Sequence, residues 1–245
     1  MELIDLVNIY AGKFVPVFIR VAVILFFIPF VGSRTTPIFL RTGISLALTL
    51  LLLPVVEVKT ADPLKAVFEA FFIGAAIGLM ARIILGAVET AAQWVGLEMG
   101  LSVAAVFNPQ FGEVLSPLSL FYNILAMALF FILDIHHLFI EGIVRSFDMT
   151  TVHYTGIFNA VLKLNEMLFP LALKIAAPVI LVQVLANLMI GFFSRAIPQA
   201  NIFFISFPIL ITAGLVFIIL SMPLVTMVIS RSFINVRDAI QVFTR

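Results

Sequence analysis

Residues 64–107 read LKAVFEAFFIGAAIGLMARIILGAVETAAQWVGLEMGLSVAAVF. Crossing about 30 Å of hydrocarbon takes about 20 helical residues, so this run is too long for one plain span. It also carries Glu69, Arg82, Glu89, Gln93 and Glu98. Two readings fit: one long bent helix, or a tight hairpin of two. In either case the surroundings of the segment are lipid or other apolar protein.

The same pattern extends outward. Further apolar runs occupy 14–31, 43–56, 118–139, 168–193 and 202–229. Each suits one helix, although 43–56 is short. Across the 245 residues, 63% are hydrophobic and 11% charged, with mean hydropathy +1.23. Soluble domains average about 45–50% and about 25%. A water-soluble globule has too little interior for this chain, which excludes a secreted domain, a disordered tail and an ordinary cytoplasmic enzyme. A net charge of +1 gives no field for nucleic acid. With no cysteine there is no disulfide framework, thiolate zinc site or cysteine nucleophile. The opening MELIDLVNIYAGK places Glu2 and Asp5 before Lys13, unlike a secretory signal. The first run is therefore expected to remain in the mature protein.

Counting 64–107 once predicts six helices. Lys13, Lys59, Lys65, Arg145, Lys163, Arg231, Arg237 and Arg245 then lie on the side of the N-terminus, outnumbering Arg34, Arg41 and Arg195 opposite. The positive-inside rule places the termini in the cytoplasm, and counting the run twice reverses the parity. With Tyr 3 and Trp 1, no interfacial aromatic belt is visible. Pro16, Pro29, Pro54, Pro170, Pro178, Pro208 and Pro223 lie in or beside the runs and predict bent helices whose freed backbone groups find neighbouring partners. No separate soluble domain, repeat or linker interrupts residues 1–245, which read as a single membrane domain.

Few constellations carry chemistry. Gly74-Ala-Ala-Ile-Gly78 and Gly96-Leu-Glu-Met-Gly100 are small-xxx-small patterns, suited to assembly between subunits or to packing within the chain. Asp134, His137 and Glu141 fall at i, i+3 and i+7 of a helix face, where a metal or a proton relay is conceivable. His-xxx-His spacing is absent, so the expectation is a packing or pairing role with no bound metal. Arg20, Glu69, Arg82, Glu89, Glu98 and Lys174 sit within apolar runs, where an unpaired charge costs about 2.5–3.5 kcal/mol or more. Glu69 and Arg82 are too far apart to meet on one helix, so partners on other helices or chains are expected. Gly32-Ser-Arg-Thr-Thr-Pro37 is only a polar turn. No phosphate loop, Ser/His/Asp order or paired-carboxylate site occurs, and no cofactor is implied.

The interruption at Phe107-Asn108-Pro109-Gln110-Phe111-Gly112-Glu113-Val114-Leu115-Ser116-Pro117 is unusual. Asn-Pro, Gly112 and Ser-Pro are loop punctuation, yet Phe107, Phe111, Val114 and Leu115 are too apolar for an exposed loop. Irregular backbone at membrane depth is tolerated where it is buried in protein or lines a cavity. The segment is either an interhelical turn or a hydrophobic stopper for a pore.

Several stretches resemble the FliR family of flagellar export-apparatus proteins and their injectisome counterparts. They are Ile28-Pro-Phe-Val-Gly-Ser-Arg-Thr-Thr-Pro-Ile-Phe-Leu-Arg41, Phe72-Ile-Gly-Ala-Ala-Ile-Gly78, and Gly96-Leu-Glu-Met-Gly-Leu101 leading into Phe107-Asn-Pro109. The His-containing segment closing in Ser146-Phe147 follows. Then come Ala177-Pro178, Asn187-Leu-Met-Ile-Gly191 and Arg195-Ala-Ile-Pro-Gln-Ala-Asn-Ile-Phe203, with Pro208 and Gly214 beyond. Their shared order carries the resemblance.

The resemblance implies an all-α, polytopic integral membrane protein of bent, Pro-kinked helical hairpins. It also implies packing into a helical export-gate assembly with FliP-like and FliQ-like subunits and an FlhB-like switch protein. The cargo would be unfolded flagellar proteins, and the place the bacterial inner membrane within the flagellar basal body. Helices facing partner subunits rather than lipid would account for the missing aromatic belt and put the six-span count in doubt. The family's counterpart of Phe107–Pro117 contributes a plug across the pore. The alternatives are an injectisome gate, a secondary transporter coupled through Asp134, His137 and Glu141, and an intramembrane metalloenzyme. The lack of related halves counts against the transporter, and the lack of a His-Glu-xx-His pattern against the metalloenzyme.

Overall fold

A computed structural model describes residues 3–28, 36–58, 62–101, 117–148, 153–196 and 201–240. Every regular element among them is helical: α1 (Leu3–Phe27), α2 (Ile38–Leu52), α3 (Pro63–Glu98), α4 (Pro117–Ile132), α5 (Ile135–Asp148), α6 (Tyr154–Glu166), α7 (Leu168–Ala196) and α8 (Ile202–Ile240). The protein is all-α and polytopic. Among the described residues three stretches are long and apolar enough to cross a membrane: Pro63–Glu98, Tyr154–Ala196 and Phe204–Asn235. A fourth arises if α4 and α5, bent by 64° at their break, form one span.

Of the six expected runs, 64–107, 168–193 and 202–229 each overlap one of these stretches, and 118–139 overlaps the bent pair. The 15 residues of α2 reach only about 22 Å at 1.5 Å per residue. The run at 118–139 is broken at Leu133 and Asp134, and 64–107, counted once in the six, holds the single helix Pro63–Glu98.

The long run resolves as a single helix over Pro63–Glu98. Asp62 starts it: its Oδ1 accepts from the Leu64 amide at 3.0 Å, with Pro63 at the first helical position. Gly100 stops it in a left-handed conformation, φ +75°. There the Gly100 amide donates to Leu97 O and the Leu101 amide to Gly96 O, both at 3.0 Å, the paired bonds of a Schellman stop. The 36 residues between extend about 54 Å.

Pro16, Pro178, Pro208 and Pro223 lie inside α1, α7 and α8, which run on through them. Among the described residues, the sharp bend that separates two apolar helices has no proline or glycine at its turn, which is Leu133 and Asp134. Asp134 takes the left-handed conformation itself, φ +55°, which a short polar side chain tolerates better than most.

Contacts divide the chain into two compact units. The first comprises the described residues of Met1–Ile84, Phe130–Glu166 and Phe233–Arg245. In it Val17, Arg20, Val21 and Ile24 form the buried stripe of α1. The α2 helix packs on α1 and buries Ser45, Thr49 and Leu52. Those two hydroxyls donate back to Arg41 O at 2.8 Å and Ser45 O at 2.7 Å, so the face is polar in composition but satisfied within its own helix. Phe130 joins Phe139 and Phe233, each at 5.8 Å between ring centroids, tying α4, α5 and α8.

The second unit comprises Leu85–Leu129 and Met167–Ser232. Ala91, Ala92 and Val95 of α3 are fully buried there, as are Ala172, Ile175 and Val179 of α7. Trp94 stacks on Phe169 at 6.3 Å.

Candidate functional site

Phe107, Asn108, Pro109, Gln110, Phe111, Gly112, Val114 and Leu115 lie outside the described residues. Their flanks do not. On one side stands the Schellman stop, with Met99 fully buried. A Cβ on Gly100 would lie 2.7 Å from Cε1 of Phe207, so that position admits only glycine at its present depth. On the other side Pro117 occupies the first position of α4, where its missing N–H costs nothing. Leu118 and Ser119 follow it into the core. The described residues on either side of it, a helix stop and a helix start, are both anchored in the core of one unit.

A buried amide clamps the same unit. Gln183 has no exposed surface, and its Nε2 donates to Leu210 O at 2.7 Å, joining α7 to α8. Gly214 makes room for it: a Cβ there would lie 2.6 Å from Gln183 Nε2 and from Met99 Cγ and Cε. One residue pattern therefore sets the approach of α3, α7 and α8. Sequence reading passed over Gln183, although a lone amide in an apolar run was the available signal.

The first unit has its own buried polar node. Arg20 is buried at 4% exposure, and its Nη1 donates to Ser146 Oγ at 2.9 Å. The Ser146 hydroxyl in turn donates to Ile143 O at 2.6 Å. The guanidinium carbon lies 3.6 Å from the centroid of the Phe147 ring, a cation–π contact. The charge of Glu69 acts on Arg20, and Glu69 shares a hydrogen bond with Tyr154, whose ring meets Phe72 at 5.1 Å. Arg20 therefore has its partners on other helices of the same chain, α3 and α5.

The glycine pairs separate in role. Gly74 and Gly78 face α1: a Cβ on Gly74 would lie 2.9 Å from Arg20 O, and one on Gly78 2.8 Å from Phe27 Cβ. This pair lets α3 approach α1 closely enough to carry Glu69 to Arg20. Gly96 and Gly100 take part in the helix stop, where Gly96 O accepts the Leu101 amide, and Gly100 also leaves room for the Phe207 ring.

The face of Asp134, His137 and Glu141 divides. Asp134 sits in the turn before α5, 3.3 Å from His137 Nδ1. Glu141 pairs with Arg145 one turn further on. The third group beside Asp134 and His137 is His136, and the three place one ligand atom each within 4.8 Å of one another.

Outside these cores the surface of α7 and α8 is strongly apolar. Only 22% of the apolar window is buried in each of Tyr154–Ala196 and Phe204–Asn235, against 67% in Pro63–Glu98. Leu185, Met189 and Phe193 are exposed, as are Ile219, Leu220 and Met227. Along α7 runs an open groove of about 460 Å³ lined by Val184, Asn187, Leu188, Gly191, Phe192 and Arg195. Patches this large on a protein mark lipid or partner contact.

The family described as "Bacterial export proteins, family 1" matches residues 11–236. The chain is similar to the flagellar biosynthetic protein FliR of Pectobacterium carotovorum subsp. carotovorum, 29% identical over 244 residues, covering 96% of this chain and 93% of that one. It is 30% identical to FliR of Bacillus subtilis over 235 residues, 90% of each chain. With FliR of Aquifex aeolicus it shares 30% identity over 239 residues, 92% of this chain and 90% of that one. A family match running from α1 into α8, and relatives aligned over nearly their whole length, place this chain in the FliR family of bacterial export proteins.

Proposed function

We propose that this chain is a channel-forming subunit of the flagellar type III export gate, through which unfolded flagellar proteins cross the bacterial inner membrane. The observation that carries the reading is the family match over 226 aligned positions' worth of chain, from 11 to 236, joined to largely exposed apolar helices. In this reading the subunit assembles with FliP-like and FliQ-like chains and an FlhB-like switch protein, within the basal body. It is a structural and gating component and not an enzyme, and it needs no cofactor of its own to do this. The flagellar machine is favoured over an injectisome because the similar proteins carry flagellar names.

The architecture suits such a subunit. The Arg20 node and the Gln183 clamp engage buried polar groups with partners inside the chain, and the exposed apolar faces of α7 and α8 are available to partners and lipid. The segment at 107–117 supplies bulky apolar side chains on a backbone that Pro109, Gly112 and Pro117 keep out of a continuous helix. Held between two anchored ends, it closes the pore by dewetting it and swings aside for cargo. A secondary transporter coupled through Asp134, His137 and Glu141 is disfavoured, because Glu141 pairs with Arg145.

Copurification tests the reading. The tagged chain, extracted with mild detergent from cells expressing the neighbouring export genes, should bring FliP-like and FliQ-like chains in one complex. A strain lacking it should export no hook or filament subunit. A chain recovered alone from such cells, with export intact in the deletion strain, would refute the assignment.

A further inference from the structure

The geometry points to a binding site for a borderline divalent ion of the zinc class, formed by Asp134, His136 and His137 at the bend between α4 and α5. The sequence alone argued against metal here, because His-xxx-His spacing is absent. The bend changes the donor set. Glu141 is engaged by Arg145 one turn along α5, and His136 instead places a ligand atom beside Asp134 and His137.

Three observations support the site. One ligand atom from each residue lies within 4.8 Å of the others. Asp134 Oδ1 and His137 Nδ1 are 3.3 Å apart, and donors about 2.0–2.1 Å from a tetrahedral ion are themselves separated by roughly 3.3 Å. The Nδ1 of His136 is buried without a hydrogen-bond partner among the described residues, a lone pair or N–H left unused beside the other two donors. The two imidazole rings lie 4.1 Å apart, tilted by 36°, so a small rotation of the exposed His137 ring brings both nitrogens to one ion.

The surroundings hold the donors in place. The ring of Phe131 lies 5.2 Å from that of His136, which fixes the imidazole on its buried side. The left-handed backbone of Asp134 turns its carboxylate back over the first turn of α5. Imidazole with carboxylate suits zinc, nickel or copper and not calcium or magnesium, and the open side leaves water as a fourth ligand. The positive end of the α5 dipole opposes a cation here, and the Asp134 carboxylate offsets it. Losing that carboxylate should therefore cost more than one ordinary ligand.

The test uses the full chain in detergent with a tag free of histidine, and Zn²⁺ alone as the probe. Equilibrium dialysis with metal analysis should find one Zn²⁺ per chain. His137→Gln and Asp134→Asn should each weaken binding at least tenfold, and the double variant His136→Gln/His137→Gln should abolish it. His153→Gln, which changes the remaining histidine, should leave it unchanged. Asn tolerates the left-handed backbone, so Asp134→Asn should keep the metal-free melting temperature and isolate the loss of the ligand. Co²⁺ in place of Zn²⁺ should give a tetrahedral or five-coordinate visible spectrum in the parent chain and in His153→Gln, and none in the double variant. No retained Zn²⁺ in the parent chain, or equal binding in the double variant, would overturn the site.

Discussion

The Arg20 guanidinium donates to the Ser146 hydroxyl at 2.9 Å although the two residues stand 126 positions apart. Their contact joins α1 to α5, and the Gly74 approach brings α3 to the same point. A buried charge of this kind is costly to strand. Removing one member of a buried charged set typically destabilises by about 3–5 kcal/mol. Arg20→Ala withdraws the positive charge facing Glu69 and opens space against Phe147. It should lower the melting temperature and the detergent-extracted yield sharply. Ser146→Ala should cost about 1.5–3 kcal/mol, the scale of a hydrogen bond to a charged group. Arg20→Lys should recover little, since an ammonium cannot both stack on the ring and donate in a fork. Thermal unfolding of the three variants checks the ranking.

Gly214→Ala should destabilise the second unit by about 1–3 kcal/mol through overpacking, because the added carbon would fall 2.6 Å from Gln183 Nε2 and from Met99. Gly86→Ala, with nothing within 4 Å, should be neutral or slightly stabilising. A thermal scan in which the two variants behave alike would contradict the clamp.

Gly191 lies in the groove of α7, and nothing stands within 4 Å of where its Cβ would be. In the isolated chain Gly191→Leu should leave stability unchanged or slightly raised. In cells expressing the other export components it should reduce the amount of complex recovered, because the groove is then filled. Equal recovery of complex would place this groove on lipid and not on a partner.

Gly100→Ala should cost about 1–2 kcal/mol for the left-handed backbone alone, with the crowding against Phe207 added to it. The prediction extends beyond stability. The residue anchors one end of the segment at 107–117, so the assembled variant should leak ions even where it still assembles. A variant with lowered melting temperature but wild-type leakage would show that the anchor serves packing only.

Much of this architecture was legible in the sequence. Apolar content fixed the medium, and Asp62-Pro63 and Gly100 are start and stop signals of a known kind. Local signals failed where tertiary structure decides. Prolines at 16, 178, 208 and 223 lie inside helices that continue through them, while the sharp bend between α4 and α5 falls at Leu133 and Asp134, which carry no breaker residue and gave no warning. Asp134 and His137 still meet across the bend, but Glu141 is drawn to Arg145 and His136 joins the other two, which an i, i+3, i+7 reading of the face had no means of showing. Arg20 announced a need for partners but not which ones, since Glu69 and Ser146 reach it through folding and not through spacing. The hydropathy count treated each apolar run as a span. It had no means of separating α3, most of whose apolar window is buried, from α7 and α8, most of whose windows are exposed.

The most direct test is the conductance of the purified assembled complex in a planar bilayer. A channel that passes an extended chain must hold back ions when idle, and the account assigns that seal to Phe107, Phe111, Val114 and Leu115. The parent complex should be closed. The complex carrying Phe107→Ala with Phe111→Ala, or lacking 107–117, should keep its subunit composition and conduct ions steadily. An intact variant complex that stays as closed as the parent would contradict the gate and leave the segment an interhelical turn.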